Sequence, residues 1–267
     1  MSTQNKYINN FVNQGYCIIK SKEIKKLKRI KKKIEQIILK LLNKEFFKKK
    51  EILDKIKRDK NLLTNFHKYV EISNLNHLRM KIYSQINDQD WFKNYYYKIA
   101  SEYLNEICGN EIAMQRKVNL SIQIPNDDSS LLPIHSDVWS GCSPFEVVVW
   151  IPMSNVYKTS SMYVLPLKES KKMYCKFNKK SSLDTIEKKI SKKIKYLKIN
   201  FGEILIFSHQ IIHGNKVNKE KITRFSFNCR FKSLFSPYDE KGLEETFFPV
   251  KIKPASALGM EYEHPKF

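Results

Sequence analysis

Arginine is scarce in this chain, with six residues against 43 lysines among 267. Specific recognition of bases and phosphates favours the forked guanidinium, whereas lysine offers a mobile point charge. A net charge of +22 therefore does not by itself make a nucleic-acid groove. With Asn and Ile also abundant, it reads as AT-rich coding that still favours an anionic small molecule. Cysteine is sparse too. Cys17, Cys108, Cys142, Cys175 and Cys229 are scattered and odd in number, with no Cys-x-x-Cys. That pattern argues against a disulfide framework or a thiolate-held metal and fits a reducing cytoplasm. No apolar run is long enough to span a bilayer, and Met1 to Tyr7 lack the basic-then-apolar order of a signal peptide. No internal repeat and no Pro/Ser-rich linker is visible. What is abundant is hydrophobic and aromatic: 42% hydrophobic residues, with 16 Phe and 14 Tyr, exclude a disordered chain. The length suits one domain over residues 1–267 with a sizeable core.

Two halves differ in period. Phe11, Gly15, Tyr16, Ile18 and Ile19 predict a short helix, a turn at Gly15 and a strand. From Ser21, a predicted N-cap, Ile24, Leu27, Ile30, Ile34, Ile37, Ile38, Leu41 and Leu42 recur at helical spacing, with lysines opposite as a solvated face. Residues 43–75 read as helical but poorly bounded. Trp91, Phe92, Tyr95, Ile99, Tyr103 and Leu104 continue a helical pattern that Gly109 stops. Residues 1–114 are thus expected to form a mostly helical shell. After residue 115 the period becomes two: Val118, Leu120, Ile122 and Ile124 share one face, and Asn119, Ser121 and Gln123 the other. A turn cluster at 125–130, then strands at 145–153, 161–166, 195–200, 203–208 and 222–234, predict a mainly β core. Many antiparallel strands with short turns argue for a jelly roll over 115–235. A Lys-rich insert spans 168–195, and 236–267, with four prolines, is expected to form an irregular covering tail.

The chemistry concentrates at His135 and Asp137. In an extended strand, side chains at i and i+2 project from one face. A second histidine from a neighbouring strand would complete two His and one carboxylate, the facial arrangement of non-haem Fe(II) oxygenases. His-x-Asp alone is a weak signal. His209 and His213 are both eligible, being four residues apart, since an unbroken strand turns both the same way. His67, His77 and His264 lack sequence partners and read as structural or surface residues. Trp139, two residues past Asp137, is placed to line a mouth or simply to pack.

The strand around Arg224 carries a second signal. Alternation puts Arg224, Ser226, Asn228 and Arg230 on one face and Phe225, Phe227, Cys229 and Phe231 on the other. Four polar groups cannot enter a dry core unpaired, so that face is solvated or occupied by a ligand. Arg224 offers a planar fork for a carboxylate and Ser226 a hydroxyl, which is what anchoring the distal carboxylate of 2-oxoglutarate requires. Asn119 and Gln123 are placed to touch 2-oxoglutarate or substrate, or are edge polarity.

Together these segments carry a resemblance. His135-Ser136-Asp137, Val147 to Met153 with Trp150, Tyr163 to Pro166, Gly202 to Phe207, His213-Gly214-Asn215 and Arg224-Phe225-Ser226 resemble the phytanoyl-CoA dioxygenase-like superfamily. The likeness extends to the oxygenases of bacterial surface-carbohydrate and aminoglycoside (streptomycin-type) gene clusters. The resemblance implies a cupin-like double-stranded β-helix and Fe(II) held by His135, Asp137 and His213. It also implies 2-oxoglutarate on Arg224, with O2 as the other co-substrate. It favours His213 over His209, because Gly214 follows it and Arg224 lies eleven residues on. His209 then becomes a supporting or core residue. One segment departs: Thr159 to Lys168 lacks the glycines and histidine the family often carries on the substrate side. The implied activity is hydroxylation of a small molecule, a sugar or sugar-derived metabolite. Two other classes are a cupin-like isomerase or epimerase working without O2, and a basic nucleic-acid-binding protein on a decayed oxygenase fold.

Overall fold

Gly15 turns the chain at its first corner. Helix α1 (Thr3–Gln14) ends there, Gly15 takes φ +78°, and β1 (Tyr16–Lys20) departs. The computed structural model describes residues 3–46, 50–129, 131–176, 183–238 and 241–265. The helices that follow are α2 (Ile24–Glu45), α3 (Lys50–Arg58), α4 (Ile72–Asn87) and α5 (Asp90–Cys108). The predicted face of α2 is buried from Leu27 to Leu42, while Ile24 stays exposed. Ser21 is not the cap. The helix starts at Ile24, and the buried Ser21 hydroxyl instead donates to Ile99 O of α5 at 3.0 Å and accepts the Glu23 N–H.

From residue 112 the chain is built from β2 (Ile112–Gln115), β3 (Asn119–Gln123), β4 (Val147–Pro152) and β5 (Tyr163–Val164). After α6 (Leu167–Tyr174) and α7 (Leu183–Ile190) come β6 (Lys195–Tyr196), β7 (Glu203–Ser208), β8 (His213–Gly214) and β9 (Arg224–Ser233). The chain continues through β10 (Phe247–Lys251) and α8 (Pro254–Met260). An antiparallel seven-stranded sheet runs β1-β7-β4-β9-β2-β10, with β3 also on β9. A second, three-stranded sheet runs β6-β5-β8.

The period of two sorts the large sheet's side chains. Val147, Val149 and Ile151, Ile204 and Ile206, and Phe225, Phe227 and Phe231 join one core with Leu27, Phe66, Phe92 and Tyr96 of the helical layer. Phe227 meets Phe92 at 5.4 Å, and Phe225 meets Phe66 at 5.1 Å, both edge to face. Each such buried ring contributes about 1.5–3 kcal/mol by area alone. The alternate residues Val148, Trp150, Leu205 and Phe207 face the small sheet and pack with Met162 and Val164. The helices therefore cover one face, and the other looks onto a space between the sheets. Among the described residues no helix is long and apolar enough to cross a membrane.

Three expected regions differ. Among the described residues, 43–75 hold the end of α2, α3, a 3-10 turn at Phe66–Lys68 and the first turn of α4, with irregular chain between them. The insert is helical: Met173, Tyr174, Ile186 and Ile190 pack on Ile134, Leu165 and Ile212, with 177–182 outside the described residues. The tail is not irregular throughout, since β10 joins the sheet edge and shifts register between Pro249 and Lys251. Ser130 of the 125–130 turn also lies outside the described residues, while Asn126 takes φ +61°.

Gly15→Ala tests the first corner. A Cβ there would lie 2.4 Å from Ile211 Cγ2, and the left-handed backbone alone costs about 1–2 kcal/mol. We expect a loss of at least that size in denaturant unfolding; an unchanged midpoint would contradict it.

Candidate metal centre

The predicted strand at His135 is one bridge long. His135 N–H donates to His213 O at 3.0 Å and His213 N–H to His135 O at 2.8 Å, so the two residues form a single antiparallel pair. Their rings lie side by side, centroids 4.3 Å apart. Asp137 is not in the strand. It opens a 3-10 turn, Asp137–Ser140, which swings its carboxylate back toward the pair. Donor atoms of His135, Asp137 and His213 all fall within 4.8 Å of one another, and Asp137 Oδ2 stands 3.7 Å from His213 Nε2.

Each imidazole is oriented by backbone. His135 Nδ1 faces Pro133 O at 2.7 Å and His213 Nδ1 faces Ile211 O at 3.1 Å. A carbonyl can only accept, so each Nδ1 carries the proton and each Nε2 presents a lone pair. Arg230 Nη2 donates to Asp137 Oδ1 at 3.0 Å, leaving Oδ2 for the histidine side. Arg230 therefore serves this carboxylate. Gly214 is required by crowding: a Cβ would lie 2.6 Å from Tyr163 Oη and 3.2 Å from Leu132 O.

Electrostatics suit a divalent cation. Burial acts to raise the Asp137 pKa, but His213, His209 and Arg230 outweigh it and hold the carboxyl well below the usual range. Burial pushes His213 down to about 4 and His209 down to about 3 against the pull of Asp137, so both are neutral at pH 7.

A cavity of about 880 Å³ opens onto this group, within the usual range for a small-molecule site. Arg224, Asn119, Asn228 and Arg230 stand on its wall. Arg224 is 1% exposed, and its hydrogen-bond partners among the described residues are neutral: Ser121 Oγ at 3.0 Å and Asn215 Oδ1 at 3.4 Å. Its Nε has no partner, and burial draws its pKa down to about 10. Ser226, two residues on, is buried with its hydroxyl also unpartnered, but it does not line the cavity. Asn119 Nδ2 donates to Asn228 Oδ1 at 3.1 Å.

Other expected residues sit elsewhere. Gln123 does not line the cavity; it is fully buried and donates to Lys216 O at 2.6 Å. Trp139 is not on the wall either, but 38% exposed and edge-on to Tyr174. His209 is enclosed behind Asp137, with Nε2 3.9 Å from Oδ2 and Nδ1 3.3 Å from Glu146 Oε2 without hydrogen-bond geometry. With Cys142 it forms a second group of donor atoms, but none of the three lines the cavity, and Cys142 Sγ is contacted by Lys241 Nζ at 2.8 Å. The Lys-rich insert 168–195 packs behind the His135 segment, and none of its described residues reaches the cavity wall. The sequence reading missed α4, which lends Ile72, Asn76, Arg79, Met80 and Tyr83 to the wall.

The same fold recurs in proteins of little sequence likeness. The non-heme monooxygenase ThoJ, solved as a nickel complex, superposes with a TM-score of 0.56 over 92% of this chain and 83% of its own, at 12% identity. AviO1 from Streptomyces viridochromogenes Tue57 gives 0.55 over 90% and 99%, at 11% identity. EctD from S. alaskensis gives 0.54 over 87% and 77%, also at 11%. No protein-family model matches the chain, and no curated protein matches it. The likeness is one of fold.

Two predictions follow from the geometry. Alanine at His135, Asp137 or His213 should abolish Fe(II) retention, whereas His209→Ala should keep it; iron content of the purified variants decides. Loss with His209→Ala but not with His213→Ala would reverse the assignment. The metal-free protein should lose stability as pH falls from about 6.5 toward 4, because the unfolded chain takes up protons that His209 and His213 refuse when folded. The loss is on the order of 2 kcal/mol per histidine at pH 5. Denaturant melts across that range check it, and a flat profile from pH 7 to 5 contradicts it.

Proposed function

We propose that the chain is an Fe(II)- and 2-oxoglutarate-dependent dioxygenase hydroxylating a small molecule, a sugar or sugar-derived metabolite of carbohydrate or secondary-metabolite biosynthesis. The observation that carries this is the pairing, in one cavity, of the His135, Asp137 and His213 donors with the buried Arg224 guanidinium, which has no carboxylate partner among the described residues. A buried, uncompensated charge is costly, and an anionic ligand removes the penalty. The fold shared with a non-heme monooxygenase supports the reading. We further take residues 1–267 as one domain and its two facing sheets as a cupin-like double-stranded β-helix. An isomerase working without O2 has no use for a dicarboxylate anchor, so it is the weaker reading.

In this proposal His135 Nε2, Asp137 Oδ2 and His213 Nε2 hold Fe(II), and nitrogen and oxygen donors of this kind suit it. Iron with 2-oxoglutarate and O2 supplies C–H oxidation, with succinate and CO2 as the spent products. The protein's own part is positional. Arg224 takes the distal carboxylate of 2-oxoglutarate from its place on the cavity wall. Arg230 fixes the Asp137 rotamer, and the Nδ1–H contacts to Pro133 and Ile211 lock both imidazoles. Val148, Trp150 and Phe207 keep the inner wall apolar and limit water.

Succinate release that requires Fe(II), 2-oxoglutarate and O2 together tests the proposal; release independent of any one would sink it. Arg224→Lys replaces a bidentate fork by a point charge and should weaken 2-oxoglutarate binding by about 1.5–3 kcal/mol while iron stays bound. Unchanged 2-oxoglutarate affinity would place the anchor elsewhere. Because Asp137 fills the carboxylate position, turnover in chloride buffer should yield a product with one oxygen from ¹⁸O2 and no chlorine.

A further inference from the structure

Three of the chain's six arginines, Arg79, Arg224 and Arg230, stand on the wall of the cavity onto which His135, Asp137 and His213 open. Among its described lining residues there is no lysine and no acidic side chain but Asp137, although the chain contains 43 lysines. Arg230 is spoken for by Asp137, and Arg224 by the co-substrate in the reading above. Arg79 remains. It projects from the same face of α4 as Ile72, Asn76, Met80 and Tyr83, spaced by three and four residues. Its Nη2 donates to Asn76 Oδ1 at 2.7 Å, and no carboxylate lies within ion-pair reach among the described residues. Apolar side chains are exposed around it: Ile72 is 54% exposed, Met80 49%, and Leu132 on another part of the wall 51%.

We propose that Arg79 and this face of α4 form the substrate subsite, which receives an anionic group, carboxylate or phosphate, on a molecule whose apolar faces rest against Ile72 and Met80. The proposal rests on the oxygenase reading and narrows its substrate class. With Fe(II) and 2-oxoglutarate in place, Asp137 and the dianion do not neutralise the metal and three guanidinium groups. The occupied cavity therefore keeps a positive balance that favours an anion. A forked guanidinium carried on a helix suits a two-oxygen acceptor better than the point charge of a lysine.

The test uses full-length protein loaded with Ni(II) and 2-oxoglutarate, which does not turn over. Galactose, galacturonate and galactose 1-phosphate are titrated calorimetrically into the unaltered chain, Arg79→Gln, Arg79→Lys, and, as a control off the cavity wall, Arg116→Gln. At least one anionic sugar should bind about tenfold or more tighter than galactose, and the preference should weaken with added salt. Arg79→Gln should abolish the preference, Arg79→Lys should keep part of it, and Arg116→Gln should change nothing. Which anion binds tells carboxylate from phosphate. Equal affinity for neutral and anionic sugars, no binding of either anion, or an Arg79→Gln variant that keeps the preference would each overturn the proposal. Nickel and 2-oxoglutarate affinities are measured on the same samples. If the unaltered chain fails to hold them, the oxygenase reading falls; if it holds them and shows no anion preference, only the Arg79 subsite falls.

Discussion

Two backbone hydrogen bonds exchanged between His135 and His213 hold the rest of the site together. They join segments 78 residues apart at one rung, and a mutually bonded antiparallel pair places both side chains on one face. The neighbours on either side point the opposite way: Ile134 and Ile212 enter an apolar cluster with Leu165, Ile186 and Ile190. Each histidine is thus flanked by an anchor, and α6 and α7 act as ballast behind the rung. Gly214 follows from the same closeness, since Tyr163 and Leu132 leave no room for a side chain there.

Strand β9 carries a second constraint, serving two incompatible environments at once. Phe225, Phe227 and Phe231 fill the helix-side core, while Arg224 and Arg230 look into the cavity. A slip of one residue would drive guanidinium groups into packed aromatics, so the register is strongly specified. Its pairing with β4 and with β3 over the same stretch, Trp150 and Asn119 both opposite Asn228, fixes that register from both edges.

Much of this was legible in the residues because the signals were local and periodic. The α2 stripe, the alternation in β9, the turn at Gly15 and the convergence of His135, Asp137 and His213 all needed only spacing or the family resemblance. Other features were not local. Ser21 has the chemistry of a cap, but its hydroxyl is taken by Ile99 across a tertiary contact. Helix α4 carries apolar residues on two sides, Leu75, Leu78 and Ile82 toward the core and Ile72, Met80 and Tyr83 toward the cavity. Two stripes blur a one-face pattern, so its contribution to the wall was missed. Strand β10 was hidden by Pro249, which lacks an N–H and is tolerated at a sheet edge. Gln123 was misplaced for a similar reason: alternation gives a face, but not which end of that face the cavity reaches.

The absence of lysine among the described residues of the cavity wall bears on chemical durability. Primary amines condense with keto groups to form Schiff bases, and the proposed co-substrate is a keto acid. Guanidinium groups remain protonated and are poor nucleophiles at neutral pH. A wall that draws its positive charge from arginine alone can hold a reactive carbonyl compound near-saturating for long periods without becoming covalently trapped by it. In a chain this rich in amines, that keeps the reactive nitrogen off the wall the keto acid would meet; even the buried Lys232 has its amine held by Pro237 O, away from that wall.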